Sequence, residues 1–293
     1  MNIAFNVNRL AMIGLGVTLK SLLDNCSNPS KINIYILCSD LNIEDKSNIH
    51  KLLLTYGLNE VKLIDFDVNE HFGTFSSLQG DLTTYGRLLL QDYVKEDAVL
   101  YLDADLVVEL DVLTLEGFDF QGKGIAAVDG GKMKDALDHP FLCNEIGLGM
   151  DLAVFNAGII LFNLKYWREK DIKNQCLAFG KKYGTKLRSH DQTILNAFFA
   201  GNFAFLPLEF NMPWFAQNKR PEAKKVILHF VGSPKPWDVL GKYVHRGFSV
   251  WKSYLNADWE KAYYHYNQGE FLRAWHIRRS YARLLLLKMK SKN

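Results

Sequence analysis

The sequence contains little cysteine: four residues among 293, far apart and without a C-x-x-C pair. This spacing argues against a disulfide framework or a cysteine-based zinc site, and it predicts reduced thiols in a cytoplasmic protein. The chain also lacks a run of eighteen apolar residues, so we expect no membrane-spanning helix. Polar residues interrupt the first ten positions, and no signal peptide is expected there. The cysteines are Cys26, Cys38, Cys143 and Cys176.

Acidic residues are absent after Glu270, although seven basic residues follow it. The whole chain has a net charge of +3. Without those seven residues, 28 of the 35 basic residues remain beside 32 acidic ones, so the rest of the chain is mildly acidic. The tail also contains Trp275, Tyr281 and four leucines at 284–287. This composition favours an interfacial helix on an anionic bilayer. A terminal helix that packs on the body with a solvated basic face is the alternative. Nothing else resembles a nucleic-acid module, so nucleic acid is not an expected partner.

The apolar pattern predicts an α/β fold. Hydrophobic residues make up 48% of the chain, which excludes global disorder. Strand-like and helix-like segments alternate through the first half, and this alternation predicts a mostly parallel sheet with helices on both faces. We expect one domain over 1–250 and a basic helical appendage over 251–293. The predicted strands are 2–8, 32–38, 61–66, 99–108, 124–129 and one that begins at 226; the predicted helices are 15–25, 43–55, 83–94, 165–182 and 189–199.

The segment VLYLDADLVV at 99–108 carries the clearest chemical signal. Two carboxylates, Asp103 and Asp105, interrupt a run that is otherwise typical of a strand buried on both faces. Carboxylates are rarely buried without a cation, and residues two apart in extended backbone point to the same side. At the end of a strand, such a pair can share one hard divalent cation. Solvated aspartates in a loop are the alternative.

Five segments, in order along the chain, resemble family 8 glycosyltransferases, in particular bacterial lipopolysaccharide galactosyltransferases and more distantly glycogenin. They are TTYGRLLL at 83–90, YLDADLVV at 101–108, FNAGIILFNL at 155–164, HDQTILN at 190–196 and HFVGSPKPW at 229–237. The resemblance implies a single GT-A type domain that transfers a hexose, galactose or glucose, from a UDP-sugar with retained anomeric configuration. The implied acceptor is a glycan or glycolipid in surface polysaccharide or lipopolysaccharide biosynthesis, at the cytoplasmic face of the membrane.

The resemblance also implies a metal site at Asp103, Asp105 and His229, with Ala104 between the carboxylates contributing to the donor site. Two carboxylates, one imidazole and diphosphate oxygens favour Mn²⁺ over Mg²⁺, which prefers oxygen and water. Mg²⁺ is the alternative ion. Bound there, the metal would neutralise charge on the leaving diphosphate. A core histidine is the alternative interpretation of His229.

Further donor contacts follow from the same resemblance. Gly232 would let the backbone approach the phosphates, and Lys235 would supply a point charge to them. Arg87 would reach the donor sugar or the diphosphate, with a helix-surface arginine as the alternative. Where the family often has an aspartate facing uracil, this chain has Asn6 and Asn8, whose amides can still bond the base.

The implied sugar pocket contains Asn156, Asp191 and Gln192. Asp191 would accept hydrogen bonds from sugar hydroxyls. Gln192 would lie near the reacting carbon, where an amide is a poor nucleophile and stabilises positive charge instead. We favour front-face displacement over double displacement, because no carboxylate clearly occupies the nucleophile position. Asp129 matches a residue that faces the acceptor.

Two other functions share part of this pattern. A nucleotidyltransferase would use a similar fold and acidic ligands, but it usually opens with a glycine- and arginine-rich phosphate loop, which does not follow the first strand here. A non-catalytic homologue could bind a sugar nucleotide without turnover. The full set of predicted site residues argues against the second alternative.

Overall fold

The computed structural model describes residues 1–77 and 80–290. Lys292 of the predicted basic tail lies outside these residues, as do the side chains of Lys288 and Lys290. The strands are β1 (Asn2–Val7), β2 (Asn33–Cys38), β3 (Val61–Asp65), β4 (Ala98–Leu102), β5 (Leu106–Val108), β6 (Ile125–Val128), β7 (Ile159–Asn163), β8 (Ala204–Leu206), β9 (Met212–Pro213) and β10 (Ile227–His229). The α-helices are α1 (Met12–Asp24), α2 (Ile43–Leu54), α3 (Val68–Phe72), α4 (Leu90–Tyr93), α5 (His139–Asn144), α6 (Leu164–Glu169), α7 (Ile172–Tyr183), α8 (Asp191–Phe199), α9 (Gly241–Val244), α10 (Phe248–Ser253), α11 (Ala257–Tyr263), α12 (Gln268–His276) and α13 (Arg278–Lys290).

The central sheet has seven strands in the order β3-β2-β1-β4-β7-β6-β8. All neighbouring pairs are parallel except those of β7, which runs antiparallel to β4 and β6. The predicted mixed, mostly parallel sheet with flanking helices is therefore confirmed. A second sheet contains three short strands in the order β5-β10-β9.

Alternate residues of the central strands pack into opposite cores. In β1, Ile3 and Phe5 belong to the core that α1 and α2 cover, whereas Ala4 belongs to the core that α7 and α8 cover. Burial on both faces explains why these strands are almost continuously apolar.

The predicted strand at 99–108 is two strands in different sheets. β4 ends at Leu102, and β5 begins at Leu106 and pairs with β10. Thr18 of α1 fixes the start of β5, because its hydroxyl bonds both Leu106 O at 3.0 Å and Leu106 N at 3.1 Å. The two carboxylates thus occupy the crossing between sheets at the carboxyl end of β4, where ligands bind in open α/β sheets.

Two predicted helices differ in the structure. Residues 83–94 form a 3-10 helix over Thr83–Leu89, followed by α4. Because side chains three apart eclipse in a 3-10 helix, Thr84 and Arg87 lie on one side. The predicted helix 165–182 is divided into α6 and α7 at Asp171, whose φ of 54° cannot continue a right-handed helix.

The C-terminal segment contributes to two different clusters. Trp251 and Trp259 belong to the main core, and Trp259 Nε1 donates to Met12 O at 2.7 Å. Helix α13 instead contributes to a small separate cluster; its members are Ala216, Val244, Ile277, Tyr281 and Leu284. The division at residue 250 stays a prediction, although this packing joins 251–264 to the body. Within the described residues, every helix is too short or too polar to cross a membrane.

Candidate active site

The D-x-D turn is held on two sides. A side-chain carbon on Gly14 would lie 2.3 Å from Ala104 O, so the glycine lets the turn rest directly on α1. On the other side, Asp103 N donates to Gly158 O at 2.8 Å. Tyr101, two residues earlier in the chain, donates its hydroxyl to Asp103 Oδ1 at 2.8 Å. The position of the first carboxylate is therefore fixed by backbone and side-chain contacts.

Asp103, Asp105 and His229 form the cluster that the sequence predicts. One ligand atom from each lies within 4.8 Å of the others. His229 Nε2 lies 3.3 Å from Asp105 Oδ1, a buried oxygen without a hydrogen-bond partner in the described part of the chain. Burial alone would raise the pKa of Asp105, but the ammonium of Lys235, 2.6 Å from Oδ2, holds it well below its ordinary value. Two carboxylates beside an imidazole, one of them with a partnerless buried oxygen, fit a divalent cation.

Arg87 lies buried between two carboxylates. Its Nη2 is 2.9 Å from Asp103 Oδ1, and its Nε is 3.0 Å from Asp191 Oδ2. The guanidinium also donates to Ala157 O and lies over the Tyr101 ring, 4.1 Å from its centroid. Burial would lower the pKa of Arg87, but the two carboxylates raise it above its ordinary value. The surface alternative is excluded by this burial, and a contact of Arg87 with the donor stays a prediction.

Asp191 begins α8, as predicted, and both of its carboxylate oxygens have partners. Thr84 Oγ1 donates to Oδ1 at 2.5 Å, and Arg87 pairs with Oδ2. Burial raises the pKa of Asp191, although Arg87 opposes this shift. Because both oxygens are engaged, Asp191 is a poor candidate for a nucleophile.

The turn before Asp191 is strained and is supported by a distant carboxylate. His190 has a φ of 53°, in a region that side-chain-bearing residues rarely adopt. Asp138, only 4% exposed, accepts hydrogen bonds at this turn. Its donors are Arg188 N at 3.1 Å, Ser189 N at 3.3 Å and Thr193 Oγ1 at 2.9 Å.

Two carboxamides, those of Asn156 and Asn211, connect Gln192 to His229; we call these four residues the carboxamide relay. Gln192 Oε1 accepts from Asn156 Nδ2 at 3.1 Å. Asn156 Oδ1 accepts from Asn211 Nδ2 at 3.1 Å. Asn211 Oδ1 lies 3.1 Å from His229 Nδ1. The relay therefore joins the predicted sugar pocket to the predicted metal ligands.

The predicted role of Gln192 in stabilising positive charge stays a prediction, and the hydrogen bonds of its amide bear on it. Stabilisation of positive charge is a task for the carbonyl oxygen of the amide. This oxygen accepts from Asn156 Nδ2 and also from Ala157 N, at 3.0 Å. The amide end that remains for a ligand is Nε2, which can only donate.

Lys235 and Gly232 lie on the loop after β10. Lys235 Nζ donates to Asp105 and to Phe230 O, while its backbone N donates to Asp238 Oδ2 at 2.7 Å. Gly232 has a φ of 75°, so the backbone conformation itself favours glycine there. Contacts of these two residues with phosphates stay predictions.

The remaining predicted residues lie elsewhere. Asn6 is 8% exposed, and neither atom of its amide has a hydrogen-bond partner within the described ranges. Asn8 accepts from Ala11 N at 3.0 Å and donates to Asp81 Oδ2 at 2.9 Å. Asp129 is exposed and accepts from the backbone of the following turn. Their roles toward uracil and acceptor stay predictions.

A cleft of about 250 Å³ brings eight of the predicted residues together. They are Arg87, Asp103, Asn156, Asp191, Gln192, His229, Gly232 and Lys235. Sequence reasoning missed Tyr101, Asp138 and Asn211. The period of a strand could have identified Tyr101, since it points to the same side as Asp103. Asp138 and Asn211 lie in stretches that match none of the five segments.

Comparison with known proteins gives consistent matches. Residues 2–241 match the family described as glycosyl transferase family 8. A lipopolysaccharide 1,3-galactosyltransferase of Salmonella typhimurium is 28% identical over 274 residues, which cover 88% of this chain and 79% of that protein. A probable glycosyl transferase, Gly, of Streptococcus gordonii is 29% identical over 248 residues, covering 83% of this chain. The chain spans about a third of the length of that streptococcal relative, 33%.

Solved structures show the same fold. The galactosyltransferase LgtC, in complex with donor and acceptor sugar analogs, has a TM-score of 0.72 at 24% identity and covers 89% of this chain and 99% of its own. The glycosyltransferase GlyE of Streptococcus pneumoniae has a TM-score of 0.64 at 26% identity and covers 88% and 62%. The GT-A type fold is confirmed. Since the family match extends over most of its length, the chain belongs to glycosyl transferase family 8.

Proposed function

We propose that this protein is a metal-dependent, retaining hexosyltransferase that moves galactose or glucose from a UDP-sugar to a glycan acceptor. One observation carries the proposal: the cluster of Asp103, Asp105 and His229 reaches the cleft of Asp191 and Gln192 through Asp103 and His229. The cluster suits a divalent cation, and the pocket residues suit a polyhydroxylated ring. Transfer in lipopolysaccharide or surface polysaccharide synthesis is supported by the name of the Salmonella relative.

Each side chain then has a distinct task. When bound, Mn²⁺, or Mg²⁺ as the alternative, would supply positive charge against the leaving diphosphate. Lys235 would add a cation to the same oxygens. Gln192 Nε2 would donate to a sugar or diphosphate oxygen, because its own oxygen is engaged. Thr84 and Arg87 would keep both oxygens of Asp191 engaged, which makes it a poor nucleophile and leaves front-face displacement as the favoured route.

The acceptor side is proposed to lie at a membrane. Helices α12 and α13 expose Trp275, Leu285 and Leu286 at 65%, 46% and 59%, beside the exposed Arg279 and Arg283. This mixture suits peripheral contact with an anionic bilayer, on the cytoplasmic face. The other face of α13 packs on the body through Tyr281 and Leu284. We therefore propose that α13 packs on the body with one face and contacts the bilayer with the other.

Calorimetric titration with UDP, first with Mn²⁺ and then with EDTA, tests the proposal. We expect binding that requires Mn²⁺ and that Asp103→Asn abolishes. Asp151→Asn is the matched control, since that carboxylate is 83% exposed. Metal-independent UDP binding would remove the ion from the proposal, and no UDP binding would overturn it.

Turnover is tested with UDP-galactose and UDP-glucose. We expect release of UDP and a product with retained anomeric configuration, which NMR determines. Pyrophosphate release from UTP and a hexose 1-phosphate would instead indicate a nucleotidyltransferase. Tight donor binding without turnover on any glycan tried would favour the non-catalytic homologue.

A further inference from the structure

Asn211 lies between the two halves of the proposed site. It is 7% exposed, immediately before β9, and its amide bonds Asn156 on one side and faces His229 on the other. We propose that Asn211 is a positioning residue that orients the metal ligand His229 and the sugar-facing amides together. This inference rests on the proposed function, because it assigns a metal to His229 and a donor sugar to Asn156 and Gln192.

Two backbone amides set the direction of the relay. A backbone N–H can only donate, so Ala157 N, 3.0 Å from Gln192 Oε1, fixes the orientation of the Gln192 amide. Gly158 N, 3.0 Å from Asn156 Oδ1, fixes Asn156 in the same way. Asn156 must then present Nδ2 to Gln192 and Oδ1 to its other neighbour, Asn211. These orientations therefore follow from chemistry.

The orientation continues through Asn211 to the imidazole. Because Asn156 Oδ1 is an acceptor, Asn211 presents Nδ2 to it and turns Oδ1 toward His229. An oxygen 3.1 Å from His229 Nδ1 requires the proton on that nitrogen. In a neutral imidazole, Nε2 is then the free lone pair, and it faces the partnerless oxygen of Asp105. This is the form in which histidine binds metals, oriented by an outer hydrogen bond.

Reversal of Asn211 is disfavoured at both ends. Turned over, its Nδ2 would oppose the protonated Nδ1 of His229, and its oxygen would oppose Asn156 Oδ1. Reversal of Asn156 as well would leave Gly158 N without its acceptor. Since Asn211 and His229 are 7% and 4% exposed, water does not readily replace these bonds. Asn211 therefore orients the imidazole of His229 and the amide of Asn156 at the same time.

Two substitutions distinguish the contact of Asn211 with His229 from its hydrogen bond to Asn156. Asn211→Asp keeps an oxygen toward His229 but places a second oxygen against Asn156 Oδ1. Asn211→Leu removes both bonds at similar size. We expect Asn211→Leu to weaken Mn²⁺ binding by about 10- to 100-fold, as is typical for loss of an outer-shell partner. We expect Asn211→Asp to bind Mn²⁺ at least as tightly as the wild type, because a carboxylate holds the imidazole equally well.

The effect on sugar binding is measured as the sugar preference, which is the ratio of the affinity for UDP-galactose or UDP-glucose to the affinity for UDP. Both variants should lower this preference, since each loses the donor to Asn156. Asn163→Asp is the matched control: its amide, at the end of β7 away from the site, donates to Lys123 O at 3.0 Å and accepts from Tyr166 N at 3.1 Å. This control should lower thermal stability without changing Mn²⁺ affinity or the sugar preference of the folded protein.

The experiment measures free Mn²⁺ by electron paramagnetic resonance in titrations of folded, metal-free protein, and nucleotide affinities by calorimetry. A split in which only Asn211→Leu loses Mn²⁺ affinity, while both variants lose sugar preference, supports the inference. Equal loss of Mn²⁺ in both variants, or wild-type behaviour in both, overturns it. If the wild type binds no Mn²⁺ through Asp103, the ion is removed from the proposed function itself, which is a distinguishable result.

Discussion

A side-chain carbon on Gly158 would lie 2.3 Å from Cε1 of His229. The same carbon would lie 2.8 Å from Asp103 Oδ2. The antiparallel pairing of β4 with β7 causes this closeness, because Leu102 is opposite Ile159. Asp103, which follows Leu102, therefore lies beside Gly158, which precedes Ile159. Gly158 thus maintains the space between two proposed metal ligands.

Gly158→Ala should damage the proposed metal site more than the fold. The added methyl must displace His229 or Asp103, so we expect Mn²⁺ affinity to fall at least about tenfold, with a stability loss of about 1–3 kcal/mol from overpacking. Mn²⁺ titration and thermal unfolding measure the two effects. Gly149→Ala is the control, because its new carbon would meet Leu152 at an ordinary 3.6 Å. Unchanged Mn²⁺ affinity in Gly158→Ala would contradict the assignment.

Arg87→Met should strongly destabilise the protein, because it leaves Asp103 and Asp191 facing each other without a cation. Breaking a buried pair from one side costs about 3–5 kcal/mol. Arg87→Lys should cost less, since the charge remains while the two-sided contact is lost. Urea unfolding measures the free energies. Lys134→Met, at a pair whose side chains are 54% and 83% exposed, should cost about 1 kcal/mol or less. Similar losses in Arg87→Met and Lys134→Met would exclude a special role for the buried pair.

The sheet and the two carboxylates of the cluster were predictable because both depend on local signals, whereas His229 was implied only by the family resemblance. Apolar runs specify strands buried on both faces, and two carboxylates at a strand end specify a ligand site. The break between β4 and β5 was not predictable, since Leu106–Val108 is as apolar as the strand before it. Only the partner β10, more than a hundred residues later, draws this segment into another sheet.

Polar contacts between distant segments were the least predictable part of the site. Arg87 lies in a recognisable motif, but the sequence does not show that its charge pairs with both Asp103 and Asp191. Asn211 has no local signal, because its role depends on a position between Asn156 and His229 that only the folded chain creates. Motifs thus locate ligand-facing residues better than the residues that orient them.

Charge reversal at the tail should release the protein from membranes. Arg279→Glu with Arg283→Glu leaves the packed residues Tyr281 and Leu284 in place. Each basic residue near an anionic surface contributes about 1 kcal/mol, so we expect at least about a tenfold loss of binding to phosphatidylserine vesicles. Sedimentation with vesicles measures it.

Two controls accompany the tail experiment. Lys181→Glu with Lys182→Glu changes net charge equally on exposed residues of α7 and should retain binding. Deletion of 271–293 should abolish binding, although it also removes the Arg273–Asp238 ion pair. Wild-type vesicle binding by the Arg279 and Arg283 double variant would refute the electrostatic role of the tail.

His245 should make the protein less stable in mild acid. It is 3% exposed; Gly247 N donates to its Nδ1 at 2.9 Å, while its Nε2 has no partner in the described part of the molecule. Burial, with a smaller repulsion from Lys235, lowers its pKa from 6.5 to about 3. Below about pH 6.5, His245 therefore binds a proton in the unfolded chain, whereas in the folded protein it binds one only near pH 3. The free energy of unfolding must fall as the pH falls through this window, by at most about 1.4 kcal/mol per pH unit.

His245→Asn tests this sign, because an asparagine oxygen can accept the bond from Gly247 N but does not titrate. Between pH 6.5 and 5, the wild type should lose about 2 kcal/mol more than the variant, from urea unfolding at each pH. The variant is expected to be less stable at neutral pH, since it fills less volume, but that offset cancels in the comparison between two pH values. His50→Asn, at an exposed position, should follow the wild-type profile. Parallel profiles for the wild type and His245→Asn would mean that His245 is not the group that couples acid to unfolding.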